Sequence, residues 1–259
     1  MTRVKEAVPI ARVLEGKVAL VTGGSRGIGA ATALRLADDG ADVAISYVAS
    51  PDRAGAVVQH LNSKGVRAAA FQADQGQPEQ AAGLIRDVLG TFDRLDILVN
   101  NAAINVWPGP IDHPSVDPAL LDRQHAVNYT GVVACIREAI KHMPDGGRII
   151  NIGSVVASRV GTPGMTDYTA TKAALVGYTR GAARDLARRR ITVNILQAGL
   201  VDTDMSPAEN EYAPAWAAAV ALGRYGRPEE IAAGVAFLAR ADSTYVTGTV
   251  LTVDGGYGA

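Results

Sequence analysis

With 259 residues, a formal net charge of −1 and a single cysteine, the chain can bury a full hydrophobic core without disulfides or a structural metal. So balanced a charge gives no strong pull toward nucleic acid or anionic lipid, and no uncharged apolar run approaches the roughly 18 residues of a membrane span. Arg3, Lys5, Glu6, Arg12 and Glu15 interrupt any signal-peptide core, so residues 1–16 read as a short N-terminal extension and the cytoplasm as the default location.

From residue 17 onward, short β-branched or apolar runs alternate with helical patterns. Strands are predicted over 17–22, 41–47, 66–72, 94–100, 147–153, 191–196 and 248–253. Helices are predicted over 27–39, 51–64, 78–91, 118–143, 165–189 and 228–240. Pro51, Pro78 and Pro228 each stand where a helix should begin, and proline is tolerated in a first helical turn. Such alternation predicts right-handed βαβ units. The expected α/β fold is a doubly wound, Rossmann-like parallel sheet of seven strands with helices on both faces. No linker or repeat divides it, so residues 17–259 are expected to form one domain. The one long irregular stretch, 202–227, is expected to be a substrate lid, because loops of that length usually carry function.

Two stretches carry chemistry. Strand 17–22 runs into Thr22-Gly23-Gly24-Ser25-Arg26-Gly27-Ile28-Gly29. Glycines let a backbone approach phosphate closely, and the following helix start offers free N–H groups and a positive dipole end. The first βα turn of a doubly wound sheet is the usual dinucleotide site. The second stretch is Tyr168-Thr169-Ala170-Thr171-Lys172. Side chains four apart share one helix face. An ammonium within about 4–6 Å can lower a phenol's pKa by roughly 1–3 units, which would fit Tyr168 for proton transfer. Cys135 lies in an apolar run and reads as a buried thiol. His60, His113, His125 and His142 lack ligand-like spacing, so no metal is predicted.

The Gly-x-x-x-Gly-x-Gly spacing with the Tyr-x-x-x-Lys pair resembles the short-chain dehydrogenase/reductase family, over nearly the whole chain from Gly16 to Tyr257. Further matches are Asp74, Asn100-Asn101-Ala102-Ala103, Asn128, Ser154, Val201-Asp202-Thr203-Asp204-Met205 and Val253-Asp254-Gly255-Gly256. The chain departs from the family at Ala198-Gly199, where Pro-Gly is usual, and at Ala103, where Gly is usual. Ser154 precedes Tyr168 by fourteen positions, one more than the family pattern.

The resemblance implies hydride transfer between a nicotinamide ring and a ketone or secondary alcohol. Tyr168 would be general acid/base, and Lys172 would depress its pKa and bind the nicotinamide ribose. Ser154 would donate to the substrate oxygen, and Asn128 would hold a water that links Lys172 to solvent. The cofactor would lie on Gly23, Ser25, Arg26, Gly27, Ile28 and Gly29, then pass Ser46, Tyr47 and Ser50. Asp74 and Gln75 would meet the adenine. Asn101, Ala102 and Ala103 would shape the loop under the ribose, and Gly199, Val201 and Thr203 would face the nicotinamide. Substrate would touch Ser154, Tyr168, Val156, Met165, Trp107 and Trp216, a mostly apolar set suited to an aliphatic, cyclic or aromatic ketone.

No acid closes the second predicted strand, where NAD-preferring proteins place a carboxylate, and Arg26 lies nearby; NADP(H) is therefore the expected cofactor. The runner-up activity is reduction of a 3-oxoacyl thioester on a carrier protein or coenzyme A. A non-catalytic cofactor-binding protein is disfavoured, because Asn128, Ser154, Tyr168 and Lys172 are all present. No nucleic-acid or membrane partner is expected. The small residues of helices 118–143 and 165–189, which family members pair across a two-fold axis, predict a homotetramer, with a dimer as fallback.

Overall fold

The computed structural model describes residues 12–107, 109–114 and 116–259; most of the predicted N-terminal extension lies outside them. In chain order the elements are β1 (Val18–Val21), α1 (Gly27–Asp38), β2 (Asp42–Tyr47), α2 (Pro51–Ser63), β3 (Ala68–Gln72), α3 (Pro78–Phe92) and β4 (Ile97–Asn100). There follow α4 (Pro118–His125), α5 (Gly131–His142), β5 (Arg148–Ser154), α6 (Thr166–Asp185), β6 (Thr192–Ala198), α7 (Ala213–Ala218), α8 (Pro228–Ala239) and β7 (Val250–Val253).

The seven strands form one sheet in the order β3-β2-β1-β4-β5-β6-β7, with every neighbouring pair parallel. Strand order reverses between β1 and β4, so the helices after these two strands leave toward opposite faces and open a crevice at the strands' C-terminal ends. Alternate residues of each central strand feed two cores. Ala19, Val21 and Ile45 pack with Leu36, Leu61 and Val235 from α1, α2 and α8. Val18, Leu20 and Leu98 pack with Ile85, Ile136 and Leu175 from α3, α5 and α6. Burial on both faces explains why these strands are near-continuous apolar runs rather than alternating ones. Cys135 lies fully buried in the second core, and burial pushes its thiol up to about 12.

Two predicted elements differ from what is found. The helix expected over 118–143 is divided by a π turn, Ala126–Thr130, between α4 and α5. A π turn inserts one residue into the helical hydrogen-bond ladder without any compositional signature, which is why periodicity ran straight through it. The stretch 202–227 is not wholly irregular: it contains α7, an antiparallel bridge Thr203–Ser206 and a parallel bridge Val201–Gly226. Among the described residues, no helix is long and apolar enough to cross a membrane, and no group of three or more His, Cys, Asp or Glu is placed to hold a metal ion.

A buried polar ladder ties β4 and β5 to α6. Asn100 Nδ2 donates to Asn151 Oδ1 at 2.9 Å, and Asn151 Nδ2 donates to Thr179 Oγ1 at 2.9 Å. All three residues are buried. An unpaired buried donor costs about 1–3 kcal/mol. Asn151→Ala, which strands partners on both sides, should therefore destabilise the protein by about 2–4 kcal/mol, and Thr179→Val, which strands one donor, by about 1–3 kcal/mol. Urea unfolding checks the order; a Thr179→Val loss larger than that of Asn151→Ala would show the ladder is not the unit described.

Candidate active site

At the reversal of strand order, the ends of β1 and β4 are joined by side chains. The Thr22 hydroxyl accepts from the amides of Asn101 and Ala102, each at 3.0 Å. Asn101 Nδ2 returns hydrogen bonds to the carbonyls of Thr22 and Gly23, at 2.9 and 3.2 Å. Gly23 sits at φ +65, and a Cβ there would lie 2.9 Å from Ala102 Cα. A Cβ on Gly29 would collide with the Gly23 carbonyl and the Asn101 amide. These glycines let α1 start hard against the loop after β4. No side chain caps α1, whose N-cap position is Arg26, so its first-turn N–H groups remain available to an anion.

A single cavity of about 710 Å³ runs from this turn to Tyr168. Gly23, Ser25, Arg26, Gly27, Ile28 and Gly29 line its floor, and Ser46, Tyr47 and Ser50 its distal wall. Gln75, Asn101, Ala102 and Ala103 line the middle; Gly199, Val201 and Thr203 lie opposite. Ser154, Val156, Met165, Tyr168, Lys172, Trp107 and Trp216 line the other end. A cavity with an uncapped helix start and a glycine floor suits a dinucleotide phosphate chain. Ser46 also has a structural task, since its hydroxyl accepts from the Gly23 amide at 3.2 Å.

Two expected residues stand behind the cavity wall rather than in it. Asp74 accepts at one oxygen, Oδ1, from Arg123 at 2.6 Å and from the Gly76 amide at 2.9 Å. Arg123 itself lines the cavity, a placement that nothing in the spacing of 118–143 signalled. Asn128, in the π turn, accepts from the Ile104 amide and donates to the Ile104 carbonyl, both at 2.9 Å, and donates to Thr171 Oγ1 at 3.3 Å. Its amide thus fixes the loop after β4 against α6.

At the enclosed end, Tyr168 and Lys172 are both buried, and Lys172 Nζ lies 5.6 Å from the Tyr168 ring centroid. Lys172 donates to the Ile152 carbonyl at 3.0 Å. The expectation that Lys172 lowers the Tyr168 pKa is not met in this state. Burial pushes the phenol up to about 12, opposed by a hydrogen bond from Ser154. Burial also pulls Lys172 down to about 8, because the same dry wall disfavours its charge. Ser154 lines the same end of the cavity as Tyr168, and its hydroxyl accepts from the Val156 amide at 3.4 Å. Ser158, nearer in sequence, instead donates to Gln197 Oε1 at 3.3 Å and faces a separate pocket.

Over the mouth, three aromatic rings join two loops. Trp107 and Trp216 have centroids 5.9 Å apart at 40°, and Tyr212 stacks on Trp216 at 5.8 Å and 26°. Trp107 Nε1 donates to the Pro163 carbonyl at 3.0 Å, which ties in the loop after β5. Tyr257 also lines the cavity; its carbonyl accepts from Arg159, whose guanidinium lies 5.1 Å from the Tyr257 ring centroid.

A family model described as Enoyl-(Acyl carrier protein) reductase matches residues 23–258. The chain is 39% identical over 254 residues to the 3-oxoacyl-[acyl-carrier-protein] reductase FabG of Staphylococcus aureus, across 93% of this chain and 97% of that one. It is 48% identical to the crystal structure of a blue fluorescent protein from a metagenomic library in complex with NADPH, with a TM-score of 0.92, covering 95% of this chain and 100% of that one. A short chain dehydrogenase from Burkholderia cenocepacia in complex with NADP is 47% identical, with a TM-score of 0.93 and the same two coverages.

The effect of burial on Tyr168 can be measured directly. Near pH 10.5, about three-quarters of an ordinary phenol is ionised. Phenolate absorbance of the cofactor-free wild type minus that of Tyr168→Phe should show no contribution from Tyr168 at that pH. A difference near one full phenolate would mean that burial does not raise the Tyr168 pKa.

Proposed function

The chain belongs to the short-chain dehydrogenase/reductase family, and on that premise we propose that it is an NADP(H)-dependent oxidoreductase acting on a ketone or secondary alcohol. The observation that carries this reading is the convergence of Ser154, Tyr168 and Lys172 at the enclosed end of the cavity whose other end is the glycine turn and Arg26. The NADPH and NADP of the two similar crystal structures support the same cofactor here.

When bound, the reduced nicotinamide supplies a hydride. The chain's own residues handle the oxygen. Ser154 donates a hydrogen bond that fixes the substrate carbonyl, and Tyr168 gives its proton to that oxygen as negative charge develops. In the reverse direction Tyr168 takes the alcohol proton. A neutral phenol is the form needed for reduction, and burial keeps Tyr168 in that form. Lys172, on the next turn of the same helix face, stabilises the phenolate left after proton transfer. The α1 start and Arg26 hold phosphate, while Gln75 and Asn101 shape the adenosine end. Asn128 acts as a positioning residue through the Ile104 loop.

A 3-oxoacyl thioester as substrate is the second reading, supported by the name of the staphylococcal relative. Against a carrier-protein dock stands the run Arg188-Arg189-Arg190. Asp145 pairs with Arg189 at 3.4 Å and Arg190 at 3.7 Å, and Arg189 also bonds the carbonyls of Ile140 and Met143. The apolar mouth with Trp107 and Trp216 favours a free ketone. The lid is residues 202–227, the assembly a homotetramer and the location the cytoplasm. Light scattering that reads a monomer at micromolar concentration would remove the assembly.

Turnover of a panel of ketones, alcohols and 3-oxoacyl thioesters, followed by nicotinamide absorbance with both cofactors, tests the function. Ketone turnover with NADPH is expected; activity confined to thioesters would select the second reading. Tyr168→Phe should keep cofactor binding and lose roughly 10²–10⁴-fold in turnover. Ser154→Ala should lose turnover while Ser158→Ala stays near wild type; the reverse would overturn the assignment of Ser154.

A further inference from the structure

The turn after β7 brings Tyr257 into the cavity wall, and three segments fix it there. Asp254 accepts at Oδ1 from the Gly256 amide at 2.9 Å and at Oδ2 from the Gly258 amide at 2.7 Å. The Gly255 carbonyl accepts from the amide of Leu222, in the 202–227 stretch, at 3.0 Å. Arg159, in the loop after β5, donates to the Tyr257 carbonyl and lays its guanidinium over the ring. The phenol itself lies against Gly161 of that same loop: a Cβ built on this glycine would fall on the Tyr257 hydroxyl oxygen. Gly161 is not among the positive-φ glycines, so its backbone would accept a side chain, and what the bare position provides is room for the phenol. Gly161 and Tyr257 both line the cavity. The Tyr257 hydroxyl has no hydrogen-bond partner among the described residues.

We propose that the Tyr257 hydroxyl binds a second polar group of the substrate, and that the preferred substrate is a ketone bearing a hydroxyl near its carbonyl. The inference rests on the ketone reading above and adds Tyr257 as a specificity-determining residue, with Gly161 and Arg159 as positioning residues. Ser154 and Tyr168 are both taken by the reacting oxygen. Val156, Met165, Trp107 and Trp216 offer apolar contact, and the Trp107 indole N–H is already engaged by the Pro163 carbonyl. A pocket with apolar walls takes its orientation from the few polar groups placed in it. A phenol both donates and accepts, so it can meet a hydroxyl in either sense. Arg159 stands outside the cavity lining, so the group beside Tyr257 meets no guanidinium from this loop, and a neutral hydroxyl suits the place better than a carboxylate. Because the turn, the ring and the Gly161 seat already hold the phenol, little freedom is lost when it binds. A plain ketone displaces water from the hydroxyl and gives it no partner, which is the basis of discrimination.

Steady-state kinetics with NADPH on phenyl ketones that are unsubstituted, or carry a hydroxyl on the α, β or γ carbon, test this. In wild type at least one hydroxylated ketone should exceed the plain one in kcat/KM, with the difference residing in KM. Tyr257→Phe removes the hydroxyl and Gly161→Ala pushes it aside, and each should lower that preference about three- to tenfold. Arg159→Ala should lower it as well, and Arg159→Lys, which keeps a cation over the ring, should restore part of it. Equal kcat/KM for all the ketones in wild type, or a preference unaltered by Tyr257→Phe or by Gly161→Ala, would overturn the inference. A Tyr257→Phe loss shared equally by plain and hydroxylated ketones would do the same, since it marks a residue that only packs. Wild type that reduces none of these ketones would defeat the ketone reading itself and the inference with it, so the two failures are distinguishable.

Discussion

The join between β1 and β4 is the constraint on which the site depends. Where strand order reverses, the two chains leave the sheet in opposite directions, and their backbone groups lose the ladder that satisfied them. Thr22 and Asn101 restore those partners across the gap with four hydrogen bonds. That repair sets the separation between the glycine turn and the loop after β4. From it follow the close seat of α1, the direction of its free N–H groups and the width of the crevice. Asn128 extends the same logic one step further, because its bonds to Ile104 carry the β4 loop onto α6, where Tyr168 and Lys172 reside.

The two ends of the cavity obey different electrostatics. At the Tyr168 end, exclusion of water dominates: it keeps the phenol protonated and pulls the lysine toward neutrality. At the Arg26 end, the charges stay in water, where pairing is weak and reversible. The phenol is buried, while the ion pair of Arg26 with Asp204 is exposed. The polar ladder through Asn100, Asn151 and Thr179 keeps the first end rigid.

Much of the fold was legible because it depends on local pattern. Buried strands are continuous apolar runs, Pro51, Pro78 and Pro228 do start their helices, and Gly23 to Gly29 lie where a first βα turn should. What escaped the sequence reading depends on contacts across long separations or on backbone geometry. The π turn leaves no trace in residue type. The pairing of Asp204 with Arg26 spans 178 positions. Arg123, in α4, takes up the carboxylate of Asp74 in the loop after β3. The Tyr-x-x-x-Lys spacing correctly placed two side chains on one face, but spacing carries no information on solvent access, and solvent access decides both pKa values.

The aromatic group at the mouth has a consequence for observation. Trp107 and Trp216 are the only two tryptophans in the chain, and both border the same cavity. The protein's indole emission is therefore a local signal rather than an average over the molecule. Anything that enters the mouth changes the polarity around both fluorophores, and a nearby chromophore that absorbs in their emission band would drain their excited state. Nature has left a built-in optical probe trained on one chamber, with the rest of the fold dark in that channel.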